Sequence, residues 1–218
     1  MATSVSLETD FVTLQSIESE SAGTSVVIVT VDSTLTRISV SLSGTGANLI
    51  VKDSSGSSVV TSKANRELFS SDSIQIFTFD VASSAYTVEA SATSEYTLRI
   101  GGISALKFDF GFSRKHPSSI TDTYFRPLAG EKTILSVFVS DLEQIKNLKH
   151  VVIVPIVVSG GFKEFEVTLK RADKSFYSTE PFDAPEAMFR VKVVGVDPKD
   201  NVIDRLISTG IESTTGSE

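Results

Sequence analysis

The sequence predicts an all-β chain of two tandem antiparallel β-sandwich domains, on three observations. β-Branched and aromatic residues recur at every second position along most of the chain. Clusters of Gly, Pro, Asp, Asn and Ser interrupt the pattern at intervals of about 8–12 residues, the spacing of short sandwich strands. The 218 residues are long for one sandwich and comfortable for two.

Asp10 to Ser19 is ambiguous, because Phe11, Leu14 and Ile17 are spaced as on a helix. Ser25 to Val31 is a nearly continuous apolar run, as in a strand buried on both faces. Arg37 to Leu42 alternates, with Ile38, Val40 and Leu42 on one side and Arg37, Ser39 and Ser41 on the other. Asn48 to Val51 leads into the turn Asp53-Ser54-Ser55-Gly56, after which Val59-Val60 resume a strand, so this segment reads as a hairpin. Strands are expected around Ile74 to Phe79, Tyr86 to Ala90 and Tyr96 to Ile100. Gly101-Gly102 then breaks the pattern.

A second series opens at Ala105. Leu106, Phe108, Phe110 and Phe112 alternate with Lys107, Asp109 and Gly111, and Thr133 to Val139 follows as a strand. Asp141 to Leu148 fits one helical turn or a polar loop. Val151 to Val158 reads as a buried strand whose Pro155 implies an edge position or a bulge. Ser159-Gly160-Gly161 turns into a strand through Phe162, Phe165, Val167 and Leu169. Met188 to Val196 and Val202 to Ser208 form a hairpin around Asp197-Pro198-Lys199-Asp200-Asn201. The weakest points are Gly101 to Ser104 and the loop near His116 to Ser119. The expected division is residues 1–103, residues 104–212 and a Ser/Thr/Gly/Glu linker tail at 213–218.

Composition excludes several functions. Zero Cys removes disulfides, thiolate metal sites and a Cys nucleophile together. With two His, His116 and His150, few constellations for acid–base or metal chemistry remain. A net charge of −7 without a basic patch argues against nucleic acid, because phosphate binding needs clustered Lys and Arg. The longest basic cluster is Arg114-Lys115-His116. No apolar run approaches the ~20 residues of a membrane helix, so no membrane insertion is expected. The N-terminus shows no signal peptide, and the chain reads either as intracellular or as a piece of a longer protein.

Each motif has a bland reading that outweighs the chemical one. Asp53, Ser55 and Ser57 match D-x-S-x-S, a set of hard oxygen donors suited to Mg²⁺. That motif needs a helix after it, whereas strand residues and ordinary turn composition surround it here. Asp197, Asp200 and Asn201 could form a weak calcium site, but Pro and Asx residues between two strands make a tight turn. No Gly-x-Ser-x-Gly elbow supports a Ser-His-Asp triad, and neither glycine pair has the spacing of a phosphate loop. The Phe108, Phe110, Phe112 stripe could line a ligand groove, yet strand spacing makes it core. No catalytic, cofactor-binding or metal residue is therefore assigned, no cofactor is expected, and the chain is read as not an enzyme. None of Asn48, Asn65, Asn147 and Asn201 opens a glycosylation sequon.

Three stretches resemble one family. Tyr96 to Thr133 contains Gly111-Phe112-Ser113-Arg114-Lys115 with Pro117, then Arg126-Pro127 and Gly130. Asp183 to Ser208 and Ile38 to Gly44 add two further runs in the same order. Together these are similar to the segment of hemicentins between their von Willebrand factor A domain and their immunoglobulin array. The chain departs from the pattern at His116, inserted between Lys115 and Pro117, and in the rebuilt stretch Asp141 to Lys149. The resemblance implies a galactose-binding-like jelly-roll followed by an immunoglobulin-like or fibronectin-type-III-like sandwich. It implies a secreted, matrix-associated protein read here without its signal peptide. Protein partners are then expected in the matrix or at the cell surface, with a glycan or lipid ligand as the alternative and an accessory role beside a secreted enzyme as a third reading. Its first half carries a fold label and not a sugar specificity.

Overall fold

The computed structural model describes residues 10–59, 66–156, 163–173, 176–208 and 210–214, and for residues 66–68 the backbone. The chain divides after Ala105 into two compact units, 1–105 and 106–218. Among the described residues no helix is long and apolar enough to cross a membrane.

In the first unit, period-two patterning yields eight antiparallel strands: β1 (Phe11–Ser19), β2 (Gly23–Thr30), β3 (Leu35–Gly44), β4 (Asn48–Asp53), β5 (Arg66–Ser70), β6 (Ile74–Asp80), β7 (Ala85–Ala92) and β8 (Tyr96–Ser104). Five pair in the order β1-β8-β3-β6-β5, and three in the order β2-β7-β4. Between the two sheets lies one core. Val40 and Leu42 of β3 face Ile100 and Leu98 of β8 in register and Ile38 faces Gly102, and the five apolar residues are essentially inaccessible. Leu49 and Val51 of β4 and Tyr86, Val88 and Ala90 of β7 meet them from the smaller sheet. Each such aliphatic side chain contributes roughly 1.5–3 kcal/mol by leaving water.

Four details differ from the sequence reading. Phe11 to Ser19, within the ambiguous Asp10 to Ser19, is a strand. A bulge between Thr13 and Gln15 changes the phase at buried Leu14, which accounts for the three-residue step to Ile17. Gly101-Gly102 does not end a strand, because β8 runs through both residues with β1 on one side and β3 on the other. A Cβ on Gly102 would lie 2.8 Å from the Arg37 carbonyl oxygen, so the glycine is required by close backbone approach. The Asp53 turn is closed by a single bridge, Lys52 to Ser58, while β4 finds its sheet partner in β7; Val60 lies outside the described residues. Ser25 to Val31 is not buried on both faces. It contributes an edge strand, β2, with Val26 64% and Ile28 69% exposed.

The second unit contains β9 (Phe108–Ser113), β10 (Lys132–Val139), β11 (Asn147–Pro155), β12 (Phe165–Arg171), β13 (Phe176–Thr179), β14 (Phe182–Asp183), β15 (Phe189–Val196) and β16 (Val202–Leu206). Its strands form one hydrogen-bonded path, β14-β10-β13-β12-β11-β15-β16, with β9 on β10. Strand β12 joins the two walls. Its first half pairs with β11 and its last residues, Leu169 to Arg171, pair with β13. The sheet curls around Phe112, Leu135, Val137, Val151, Ile153, Phe189, Val191 and Val193.

Asp141 to Leu148 resolves into a 3₁₀ turn over Leu142–Gln144, capped by Asp141, before β11 begins. Pro155 lies where β11 is paired on one side only among the described residues, which is the expected edge position. It ends a central strand, opposite Phe189, beyond the last β12 pair at Ile153. The turn at Ser159-Gly160-Gly161, with Phe162, lies outside the described residues. The expected linker does not begin at Ser213. That residue is buried and its hydroxyl donates to the Pro185 carbonyl at 2.6 Å, while Thr214 bridges Leu128; residues 215–218 lie outside the described residues.

Replacing Gly102 with valine is expected to lower stability by about 2 kcal/mol, the scale of an overpacked core site. A urea midpoint that falls in a two-state transition checks it, and an unchanged midpoint would contradict the close approach of β3 to β8.

Candidate functional site

The two candidate cation turns are built from their own hydrogen bonds. Asp53 Oδ1 accepts from Ser55 N at 2.8 Å, Ser55 Oγ at 2.6 Å and Ser57 N at 3.0 Å, with Gly56 in the left-handed region at φ 82°. The Ser55 hydroxyl, ahead of the Ser57, Ser55 and Gly56 amides, holds its carboxyl below the ordinary value. Asp197 is fully buried. Its Oδ1 accepts from Lys199 N and Asn201 N at 2.8 Å, and its Oδ2 from Asn201 Nδ2 at 2.9 Å. Asp200, at φ 65°, turns its carboxylate to Lys146 Nζ at 2.7 Å. Both are Asx-type turns, and no group of three or more His, Cys, Asp or Glu is placed to hold a metal among the described residues. His150 lies in β11 with Glu166 Oε1 at 3.6 Å, and His116 is exposed on a loop of the second unit.

The Phe108, Phe110, Phe112 stripe divides its roles. Phe112 is 1% exposed and packs edge-on against Phe189 in the core. Phe110 is half-buried and leans on Phe125, with ring centroids 5.6 Å apart. Phe125 and its neighbour Tyr124 stand 60% and 72% exposed. An aromatic path therefore leads from the core to the surface at this point, which pattern reading alone did not show.

A surface cavity of about 460 Å³ opens beside these rings. Its size falls within the range of small-ligand pockets. Phe112, Ser113 and Arg114 at the end of β9 line one side. Tyr124, Arg126, Pro127 and Leu128 line another, and Glu131, Lys132 and Thr133 with Thr214 complete it. The runs that carried the family resemblance, Phe112-Ser113-Arg114 and Arg126-Pro127, thus meet at one place although a loop separates them.

Local chemistry fixes the loop. Ser118 N, Ser118 Oγ and Ser119 N all donate to Asp122 Oδ2, at 2.9, 2.6 and 3.1 Å. This ties a 3₁₀ turn over Ile120–Asp122. Thr123 Oγ1 donates to the Ile120 carbonyl at 2.6 Å, and Tyr124 then exchanges two 2.7 Å backbone hydrogen bonds with Phe112. Gly111 lets Thr123 lie directly over the β9 backbone, where any Cβ would collide with it. On the far side Thr214 N donates to the Pro127 carbonyl and Ala129 N to the Thr214 carbonyl, so the C-terminal segment forms a wall.

Three cations and one carboxylate line the cavity, in a chain of net charge −7. Arg114 Nη2 pairs with Glu131 Oε2 at 2.9 Å, and Lys132 Nζ turns away to Asp183 at 2.9 Å. Arg126 is exposed and has no ion pair among the described residues. The Ser113 hydroxyl, buried in the wall, has no hydrogen-bond partner among them either, which is costly for a buried polar atom. Tyr124, Lys132 and Thr214 went unrecognised in the sequence. The signal was present as an aromatic–basic run, Tyr124-Phe125-Arg126, inside a loop.

Comparison with known proteins places the first unit. Residues 11–105 match the family model described as hemicentin galactose-binding domain-like. Hemicentin-1 of Mus musculus is 25% identical over 187 residues and hemicentin-1 of Homo sapiens 25% over 186, in each case 84% of this chain, so the similarity extends into the second unit. The chain spans about 3% of the length of these curated relatives. Among solved structures, a DUF4785 family protein of Legionella pneumophila aligns at 9% identity with a TM-score of 0.48, covering 94% of this chain and 64% of that one.

The loop network has a pH signature. The Ser118 hydroxyl and the Ser118 and Ser119 amides hold the Asp122 carboxyl below its ordinary 3.8. The stabilisation is present above that value and is lost as pH falls through the lowered one. Ser118→Ala should raise the Asp122 carboxyl in an NMR titration. No movement would mean that the hydroxyl does not tie the loop.

Proposed function

We propose that this chain, whose residues 11–105 form a hemicentin galactose-binding-like domain, is a non-catalytic adhesive module of an extracellular multidomain protein. Its second unit takes an extended acidic segment of a protein partner in the cavity beside Tyr124. The observation that carries this reading is the lining: Arg114, Arg126 and Lys132 against Glu131 alone, flanked by two bare aromatic rings on a chain that is otherwise acidic. Opposite potentials steer such a partner to the cavity and orient it. Exposed Tyr and Arg at the mouth are the residue types that dominate interface energetics.

Two further features support it. The carboxylate of Glu131 is engaged by Arg114, and neither histidine is among the lining residues, so the cavity offers little for acid–base chemistry. The similarity to hemicentin-1 over 84% of the chain supports an extracellular setting. The faces of Tyr124 and Phe125 favour a glycan as the second reading, since an exposed ring presents an apolar surface to a sugar.

Calorimetry of the whole chain against an oligoglutamate peptide and against galactose separates the two. Saturable peptide binding is expected, weakening as salt rises. Arg126→Glu should reduce the affinity at least about tenfold, equivalent to ~1.4 kcal/mol, with an unchanged circular dichroism spectrum. Galactose binding without peptide binding would favour the glycan, and binding of neither would remove this cavity as the contact site.

A further inference from the structure

Strand β2 reads Gly-Thr-Ser-Val-Val-Ile-Val-Thr, a run of the kind carried by strands covered on both faces. The protein covers one of those faces. Val29 is 3% exposed in the core and Val27 is half-buried against it, while Val26 and Ile28 face outward at 64% and 69%. They share this outer face with Ile50, because Val26 and Ile50 both pair with Glu89 of the intervening β7. One long side of β2 pairs with β7, and the other has no strand partner among the described residues.

Exposed sheet edges are normally protected by charges, bulges or proline. Every other terminal strand among the described residues follows that rule. β1 has Glu18 and a bulge, β5 has a bulge, and β4 has Lys52 and Asp53. β16 has Asp204 and Arg205, β14 has Asp183, and β9 has Asp109. Among the described terminal strands, β2 is the one with no charge, no proline and no register shift in its pairing.

We infer that β2 is a self-association edge, paired antiparallel with β2 of a second copy of this chain across a two-fold axis at Val27. The sequence around Val27 suits this because it reads almost alike in both directions. Val26 falls opposite Ile28 of the second copy, Thr24 opposite Thr30, and Ser25 opposite Val29. Two three-stranded sheets become one of six strands, and the unpaired backbone groups of both edges are satisfied. Electrostatics permit it although each chain carries −7, since β2 is neutral and the acid beside it on β7, Glu89, is held by Lys52 at 2.7 Å. One strand pair buries on the order of several hundred Å², below the ~1,200 Å² of a standard stable interface. The isolated chain therefore pairs weakly, and linkage of several copies strengthens the contact. This inference is independent of the cavity in the second unit.

Sedimentation of the whole chain across a concentration series tests it. The wild type should show a reversible monomer–dimer equilibrium. I28K and V26E should each weaken it about threefold or more, because the apolar Val26–Ile28 cross-strand contact is lost and the like charges of the two copies then lie diagonally across the new strand pair. Their equimolar mixture should recover association, because Lys at position 28 then meets Glu at position 26 of the other copy. I50K, on the same face but two strands from the edge, should leave dimerisation unchanged. Hydrogen exchange on the wild type gives a readout free of any folding defect, with β2 amides gaining protection as concentration rises. A monomer at millimolar concentration overturns the inference. So does dimerisation that I28K leaves intact, that I50K abolishes, or that the mixed pair fails to restore.

Discussion

Burial of every second side chain along β3 and β8 is the constraint from which the rest of the first unit follows. Val40 pairs with Ile100 and Leu42 with Leu98 at the centre of the five-stranded sheet, and these four and Ile38, opposite Gly102, have almost no accessible surface. A one-residue slip would turn all of them to solvent, so the register is fixed there and is transmitted to β1 and β6. The glycine pair belongs to the same constraint. At Gly102 the Arg37 carbonyl leaves no room for a Cβ, and at Gly101 the Phe11 ring occupies that place. The residues that look like a break in the sequence allow the sheet to continue.

The second unit meets the burial requirement differently. A single path of strands curls on itself, with β12 changing partners partway along its length. The cavity arises at the margin of this sheet, where the loop after β9 is held by Asp122 and by the Phe112–Tyr124 bridge. A rigid strand end and a tied loop thereby bring Arg114 and Arg126 to one lining, and the C-terminal segment closes it through Thr214. Binding surfaces of this sort depend on loops held by a scaffold.

The two surfaces discussed differ in physical character. The cavity in the second unit is cationic and aromatic, which favours acidic ligands through long-range attraction. The β2 edge is neutral and aliphatic, and offers backbone hydrogen bonds and apolar contact. Among the described terminal strands of this acidic chain, β2 carries no charge and so adds no charge repulsion of its own at that edge.

Alternation along the chain determined the all-β class, the positions of the central strands and the turn nature of Asp53 and Asp197, because side-chain period and Asx chemistry are local properties. The similarity to hemicentins was also legible, in short runs such as Phe112-Ser113-Arg114 and Arg126-Pro127. Tertiary structure decided the rest. Whether Ser25 to Val31 is covered on one face or two depends on its neighbours, and identical β-branched residues suit either outcome. Gly101-Gly102 becomes a close contact only when β1 and β3 arrive on both sides. The cavity joins Arg114, Arg126, Lys132 and Thr214, which lie up to a hundred residues apart, and no local pattern encodes a meeting made by folding.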